Sequence, residues 1–307
     1  MEEQKNMKSQ SFLQTLENNP NGATALKIMD RPIWPLCRLT ILLYLTSAHD
    51  KLQDVFSCLP DPVEIENVEY EKPTELLEPY IPFLTLIEQL KPSNSSTDNS
   101  YNVPDQIVNE TGNNIDIFEK TIYWIQHKVI EKELEVINSY LCGSVNCIIC
   151  CTGPNKDAKH EFFEIPLSGD EINLFNIPKH DNEYTVQSTP YTEPPLTMDG
   201  VVFYKNKPAI YHWQYGWSLI LPRATECPHL DKDGRCKIYD NRPDVCKRPQ
   251  IFPKVMEKDI KKPDAPWRYT RTLLAILDCP YVVGLKEKIS QYAQKNELDC
   301  VFTHNKI

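Results

Sequence analysis

The longest regular pattern in the chain is an apolar stripe that runs from Ile115 to Leu141. Its apolar residues recur every three or four positions, at Ile115, Phe118, Ile122, Ile125, Val129, Leu134, Ile137 and Leu141. Glutamate and lysine occupy positions on the other side, which is typical of an amphipathic α-helix with one buried face. The pattern therefore predicts a long helix that leads directly to Cys142.

Shorter patterns predict further elements on both sides of this helix. The predicted helices are Ser11–Glu17, Leu36–Leu59, Thr74–Leu90 with breaks at Pro79 and Pro82, Ile172–Phe175 behind a capping box at Ser168 and Glu171, Thr270–Leu277 and Leu285–Leu298. The predicted strands are Phe162–Ile165, Val201–Tyr204, Ala209–Trp213 and Trp217–Leu221. This mixture predicts an α+β fold, and 25 prolines against nine glycines predict many rigid loops.

A polar segment of low complexity interrupts the apolar patterns over residues 91–114. Segments of this kind bury little apolar surface and are typical of exposed linkers. We therefore expect residues 1–90 to form a helical N-terminal extension and residues 115–307 to form a loop-rich domain that holds the cysteines described below. The extension is where we expect a protein partner to bind.

The charge of the chain argues against nucleic-acid binding. Its 43 acidic and 33 basic residues give a net charge of −10, whereas a nucleic-acid surface is basic. The charge is uneven, with a net charge of −11 over residues 61–119 and of +5 over residues 227–271. The basic stretch contains three cysteines, whose thiolates it would help to stabilise.

The location of the protein follows from its apolar segments. No apolar run follows the charged first ten residues, and Leu39–Leu45, the longest such stretch, is too short to span a bilayer. We therefore expect a cytoplasmic protein without membrane contact, whose thiols stay reduced. In that compartment, clustered cysteines are more typical of metal binding or catalysis than of disulfides.

Eight of the eleven cysteines lie between residues 142 and 279. The first block is Cys142, Cys147, Cys150 and Cys151; the second is Cys227, Cys236 and Cys246; and Cys279 follows. Thiolates are soft ligands, and short spacings supply several of them to one zinc or iron site. We predict all eight as metal ligands, whereas the isolated Cys37, Cys58 and Cys300 fit small apolar core residues.

The spacing within the first block suggests more than one metal atom. If Cys147 lies in a helical turn, Cys150 and Cys151 follow at three and four residues, and all three sulfurs point to one side. Two adjacent cysteines rarely bind the same tetrahedral ion, because the planar peptide between them keeps their sulfurs apart. Eight thiolates suit two four-coordinate sites, one multi-iron cluster with spare ligands, or two clusters.

Three other residues of the second block are candidates for the site. Arg242 either has a structural role, pairing with a carboxylate beside Pro243, or binds the cofactor together with Tyr239 by donating hydrogen bonds to its sulfurs. His229 could be a ligand, but eight thiolates are available, and we expect a loop histidine. The sequence contains no P-loop, GxGxxG or GxSxG motif, so nucleotide-dependent and hydrolytic functions have no support.

The second block resembles a known family. The run Cys227-Pro-His-Leu, Gly234-Arg-Cys236 and Ile238-Tyr239 to Arg242-Pro243 and Cys246 is similar to the signature of the YkgJ-like cysteine-cluster proteins. Lys247 stands where arginine is usual, and four residues separate the first two cysteines instead of two or three. The similarity covers roughly residues 140–280. It implies a CxxCxxCC domain that chelates zinc or iron.

We therefore expect metal binding, with an iron–sulfur cluster favoured over Zn²⁺ because adjacent, irregularly spaced cysteines suit a polynuclear site. The cluster would support a redox or modification reaction, whose catalytic residues stay unassigned. One alternative is a structural zinc ion that holds together the fold of a binding module without catalytic activity. Another is a metal-trafficking protein. A structural zinc site is closed, a catalytic site keeps an open position, and trafficking requires an exposed site.

Overall fold

The structure is a computed structural model that describes residues 12–91, 103–145, 147–155, 160–198, 200–247, 250–258 and 265–304. The chain divides into two compact units. Unit 1 comprises residues 1–141 and 250–307, and unit 2 comprises residues 142–249. Both units contain helices and strands, which confirms the predicted α+β class. The units are divided after residue 141 and after residue 249, and not at the predicted linker of residues 91–114. Residues 92–102 of that predicted linker lie outside the described residues.

The first segment of unit 1 is mainly helical. Its elements are α1 (residues 12–17), α2 (Pro20–Asp30), α3 (Trp34–Thr46), α4 (Leu52–Phe56), β1 (Val63–Ile65), β2 (Val68–Tyr70), α5 (Pro73–Leu77) and α6 (Ile81–Leu84). The single helix predicted for Leu36–Leu59 is wrong, because the chain leaves the helix at Ser47. The backbone of Ser47 is extended, and its hydroxyl donates to the carbonyl of Tyr44 at 2.9 Å. The break predicted at Pro79 is confirmed, because the 3-10 turn Glu78–Tyr80 separates α5 from α6, whereas Pro82 lies in the first turn of α6.

The long helix α7 (Ile117–Ser144) follows the short strand β3 (Ile107–Val108). Five residues of the predicted stripe are buried, Ile125, Val129, Leu134, Ile137 and Leu141, as are Trp124 and Ile130. The first part of the predicted stripe is not buried in this way, because Phe118 is 48% exposed and Ile115 precedes the helix. The helix continues three residues beyond the predicted end. Cys142 therefore lies within its last turn and does not follow it.

Unit 2 is organised around a four-stranded sheet. Its elements are β4 (Phe162–Leu167), β5 (Lys179–His180), α8 (Glu183–Val186), β6 (Thr197–Met198), β7 (Val201–Val202), β8 (Ala209–Trp213), β9 (Gly216–Pro222) and α9 (Asp244–Lys247). The sheet order is β4-β9-β8-β5, with β5 parallel to β8 and the other pairs antiparallel. The strands predicted at β4, β8 and β9 are confirmed. The predicted strand Val201–Tyr204 continues only to Val202, and the predicted helix Ile172–Phe175 is a 3-10 turn, Glu171–Leu174.

The last segment returns to unit 1. Its elements are β10 (Ile251–Glu257), β11 (Trp267–Ile276), α10 (Pro280–Gly284), α11 (Lys286–Lys295) and β12 (Asp299–Thr303). The helix predicted at Thr270–Leu277 is wrong, because this segment is the centre of a sheet. Strand β11 pairs with β10, β12 and β3. No helix in the described part of the chain is both long and apolar enough to cross a membrane.

A buried carboxylate joins three helices of unit 1. Glu133 of α7 is only 3% exposed. Its Oε1 accepts a hydrogen bond from the backbone N–H of Ile33, at the start of α3, at 2.8 Å. Its Oε2 accepts one from the hydroxyl of Tyr292 in α11 at 2.6 Å. Burial raises the pKa of Glu133 to about 7, although both hydrogen bonds oppose the shift.

We expect unit 1 to lose stability as the pH rises from about 5 to about 8. The pKa of Glu133 is higher in the fold than in the unfolded chain, so the fold binds the proton more tightly. The proton on Glu133 contributes its full stabilisation below the ordinary pKa of 4.5, and this contribution is lost as the pH rises through about 7. The free energy of unfolding should fall by up to about 3 kcal/mol. Urea unfolding at about pH 5 and at about pH 8 measures this loss of stability.

Two substitutions test the origin of this pH dependence. A Glu133→Gln variant should show a flatter profile, because glutamine keeps the hydrogen-bond acceptor without titrating. Glu64 lies exposed on β1, and Glu64→Gln should keep the wild-type profile. If Glu133→Gln leaves the profile unchanged, another group causes the dependence.

Candidate metal centre

Seven of the eight predicted ligands lie in unit 2. We call them the thiol cluster: Cys142, Cys147, Cys150, Cys151, Cys227, Cys236 and Cys246. Cys142 is in the last turn of α7, and Cys150 and Cys151 belong to the 3-10 turn Ile149–Cys151. Cys246 lies in α9. Of the seven, only Cys150 is exposed.

A short antiparallel ladder joins the two cysteine blocks. Thr152 and Glu226 form a bridge. On one side of it, the N–H of Cys227 donates to the carbonyl of Cys151 at 2.7 Å, and on the other the N–H of Gly153 donates to Thr225 at 2.7 Å. Cys151 and Cys227 therefore lie opposite each other, and residues paired in this way direct their side chains to the same face. The ladder therefore places one cysteine of the first block beside one cysteine of the second block.

The close approach at this ladder requires a glycine. A Cβ atom added to Gly153 would lie 1.8 Å from the carbonyl oxygen of Pro222 at the end of β9. The obstacle is backbone, which cannot turn away as a side chain can. The sequence analysis missed this residue, and its only signal was a glycine directly after the first block.

We expect a Gly153→Ala substitution to destabilise unit 2 by about 3 kcal/mol, because an overpacked backbone contact must open. The opening would separate Cys151 from Cys227, so the metal content should also fall. Gly169→Ala in the same unit is the matched control, since an added Cβ there meets nothing within 4 Å. Urea unfolding and metal analysis of both variants measure the effect. Equal stability of the two variants would contradict the prediction.

The turn after Cys227 directs backbone N–H groups towards its sulfur. The N–H of Leu230 donates to the carbonyl of Cys227 at 2.9 Å and closes the turn. Burial raises the pKa of the Cys227 thiol, whereas hydrogen bonds from the N–H groups of His229 and Leu230 lower it. Such N–H groups favour the thiolate form that binds metals. A bridge between Leu230 and Cys236 then continues the turn as a hairpin.

Arg242 ties together the loop between Cys236 and Cys246. It is 8% exposed, and its Nε donates to the carbonyl of Tyr239 at 2.8 Å. Its guanidinium lies over the ring of Tyr239, 3.9 Å from the ring centre. The Tyr239 hydroxyl reaches the end of α7, where a Cβ atom on Gly143 would lie 2.9 Å from it. These contacts stabilise the loop through a carbonyl and a ring; the predicted pairing of Arg242 with a carboxylate stays a prediction, as does cofactor binding by Arg242 and Tyr239.

Cysteines of the two blocks lie close enough for the charge of one thiolate to raise the pKa of another. Burial raises the pKa of Cys142 to about 11 and that of Cys246 to about 12. Negative charge on other cysteines of the cluster contributes to both shifts, and the Arg242 guanidinium opposes them. The pKa of Cys151 is also raised, first by burial and then by Cys227. Several thiolates can therefore coexist here only if a cation compensates their charge.

The donor set fits zinc or iron chemically, since it offers several sulfurs that need a compensating cation. The positions of these sulfurs, however, do not yet form a complete coordination site. Among the described residues, no three or more histidine, cysteine, aspartate or glutamate side chains are grouped as a metal site would group them. The ligand assignments therefore stay predictions.

The other candidate residues lie as follows. Cys279 is buried at the start of α10 and belongs to unit 1. Cys37 is buried and Cys300 half-buried, whereas Cys58 is exposed, so the prediction of a core role for Cys58 is wrong. The Nε2 atom of His229 lies 2.8 Å from the carbonyl oxygen of Leu174, which agrees with a loop histidine.

Glu171 has a role that the sequence analysis recognised only in part. Its Oε2 accepts a hydrogen bond from the N–H of Ser168 at 2.8 Å, which is the half of the predicted capping box that Glu171 supplies. The predicted N-cap Ser168 is wrong, because the 3-10 turn begins after Asp170. Its Oε1 accepts a second one from the N–H of Asp244 at 2.7 Å, at the first residue of α9. Glu171 therefore anchors the short helix that carries Cys246. No local pattern could reveal a partner 73 residues away.

Comparison with known proteins gives one match. Residues 141–267 match the family CxxCxxCC, described as "Putative zinc- or iron-chelating domain". No curated protein and no solved structure has a significant match to the chain. The matched segment contains the whole thiol cluster, and it confirms the resemblance seen in the second cysteine block.

Proposed function

We propose that the thiol cluster is the metal site of this protein, because residues 141–267 match the family CxxCxxCC, described as "Putative zinc- or iron-chelating domain". The proposed ligands are drawn from its seven cysteines. Cys279 is left out because it belongs to unit 1, whereas the other seven belong to unit 2.

The placement of Cys151 opposite Cys227 is the observation that carries this proposal. These residues are far apart in the sequence, and the ladder between them is held by backbone hydrogen bonds. It supports a single centre that draws ligands from both blocks. The backbone N–H groups around Cys227 would further stabilise its thiolate.

We propose that the metal is iron in an iron–sulfur cluster. Cys150 and Cys151 are adjacent, and the charge of Cys150 acts on Cys142 as well as on Cys151. Adjacent cysteines suit a polynuclear site, whose irons offer ligand positions in several directions. When bound, such a cluster would supply one-electron transfer for a redox or modification reaction.

A structural zinc site is the second candidate. The hairpin from Cys227 to Cys236 favours it, because a tight turn with N–H groups around a sulfur and a second cysteine across the hairpin suits a closed site. In this case the zinc would stabilise the loops of unit 2 without supporting a reaction.

Anaerobic purification of the full chain separates the two candidates. For an iron–sulfur cluster we expect a brown protein with broad absorption near about 400 nm that bleaches on reduction. Iron and acid-labile sulfide should then be present in similar amounts. A colourless protein that contains stoichiometric zinc and cannot be reconstituted with iron would establish the structural alternative and overturn the iron–sulfur proposal.

A further inference from the structure

A carboxylate on the sheet of unit 2 is held between two exposed tyrosines. Glu164 lies on the edge strand β4. Its Oε1 accepts a hydrogen bond from the hydroxyl of Tyr215 at 2.8 Å, and its Oε2 accepts one from Tyr191 at 3.1 Å. The two tyrosines come from different loops, and they are 56% and 67% exposed. We call Glu164, Tyr191 and Tyr215 the tyrosine–glutamate site.

This site lies on the face of the sheet away from Cys227. Glu164 pairs with Ile220, which packs in the core around Phe203 and Trp213. Cys227 packs against the other core, which is formed by the alternate residues of the same strands. The tyrosine–glutamate site is therefore separate from the proposed metal site.

The charge of Glu164 has no partner of opposite sign among the residues that the structure describes. Its neighbour Glu161, by contrast, forms an ion pair with Arg223 at 3.1 Å. The two tyrosine hydroxyls are neutral donors, since burial and then the Glu164 carboxylate raise the pKa of Tyr191 to about 12. Each carboxylate oxygen retains a second lone pair for another donor.

Aromatic rings lie beside this carboxylate. The ring of Phe162 lies 5.8 Å from that of Tyr191 and 5.6 Å from that of Tyr204. A cation that approaches Glu164 would therefore also meet ring faces, which attract positive charge. A flat cation with several N–H donors satisfies both features, since it can stack on a ring and donate to both carboxylate oxygens.

We propose that the tyrosine–glutamate site binds the guanidinium of an arginine side chain presented by a partner protein. The charge complementarity with Glu164 provides the attraction, and the exposed rings of Tyr191 and Tyr215 provide stacking surface. A lysine ammonium would satisfy the charge but not the planar contacts, so it should bind more weakly.

The test uses the full-length, metal-loaded protein in which tyrosines carry a fluorine label, observed by ¹⁹F NMR. Single Tyr191→Phe and Tyr215→Phe variants assign the two resonances. The probe is the peptide acetyl-Gly-Arg-Gly-amide, compared with the same peptide containing citrulline or lysine. We expect saturable shifts of both resonances with arginine, none with the uncharged citrulline, and affinity at least about threefold weaker with lysine.

Substitutions then identify the carboxylate. Glu164→Gln keeps the shape and should weaken binding of the arginine peptide at least about tenfold. Glu183→Gln removes an exposed carboxylate of α8 in the same unit and should leave binding unchanged. The single Tyr191→Phe and Tyr215→Phe variants each retain the charge and one labelled reporter, and they should weaken binding less than Glu164→Gln does. They therefore show whether weak binding reflects the lost charge or a folding defect. Equal shifts with arginine and citrulline, absence of shifts, or unchanged binding by Glu164→Gln would overturn the proposal.

Discussion

A Cys151→Ser variant is expected to lose most of the metal that the wild-type protein binds. Cys151 lies opposite Cys227 on the ladder that joins the cysteine blocks, so serine would remove a sulfur where the blocks meet. Loss of a residue that only supports a ligand costs about 10–100-fold in metal affinity, and loss of a ligand should cost at least about 100-fold. Metal analysis after dialysis against a competing chelator measures this change.

Cys58→Ser is the matched control, because Cys58 is an exposed free thiol of unit 1 outside the thiol cluster. This variant should retain the metal content of the wild-type protein. The proposal would fail if Cys151→Ser bound metal as tightly as the control. Serine changes the volume of the side chain little, so a large loss of metal would not reflect a packing defect.

Removal of the metal should lower the unfolding temperature of unit 2 by at least about 10 °C. The unit contains loops between short strands, and its thiols repel one another once they are ionised. In small domains with a structural metal, the binding free energy is largely folding free energy, and a loss of about 2–3 kcal/mol already shifts the midpoint by this amount. Calorimetry under reducing conditions, with and without a chelator, measures the shift.

The Cys151→Ser variant again provides the control for this measurement. The chelator should change its melting curve little, because the variant has little metal to lose. A wild-type melting curve that does not respond to complete metal removal would show that the metal does not contribute to folding.

The apolar stripe of α7 was predictable from Ile125 to Leu141, because its buried apolar residues recur there every three or four positions. Strand β11 was not predictable in the same way. Its residues Leu273 to Ile276 are all buried, so both faces of the strand are covered there and the alternation of buried and exposed positions disappears. A continuous apolar run of this length fits a helix as well as a central strand. The error therefore reflects tertiary burial that local periodicity does not record.

The candidate site was predictable in its composition but not in its arrangement. Spacing and residue type identified the two cysteine blocks, because a cluster of thiols has a chemical meaning that is independent of the fold. The pairing of Cys151 with Cys227 depends on long-range backbone hydrogen bonds. The assignment of Cys279 to unit 1 likewise depends on where the chain re-enters that unit. Neither feature leaves a local pattern in the sequence.

The interruption of unit 1 by unit 2 has a consequence for synthesis on the ribosome. Strand β11 pairs with β3 at Trp267–Ile107 and with β12 near the end of the chain, so unit 1 cannot be completed until the last segment has emerged. All seven cysteines of the thiol cluster are translated before β11. Because domains generally fold as units while the chain grows, we expect unit 2 to acquire its metal on the nascent chain, before unit 1 closes.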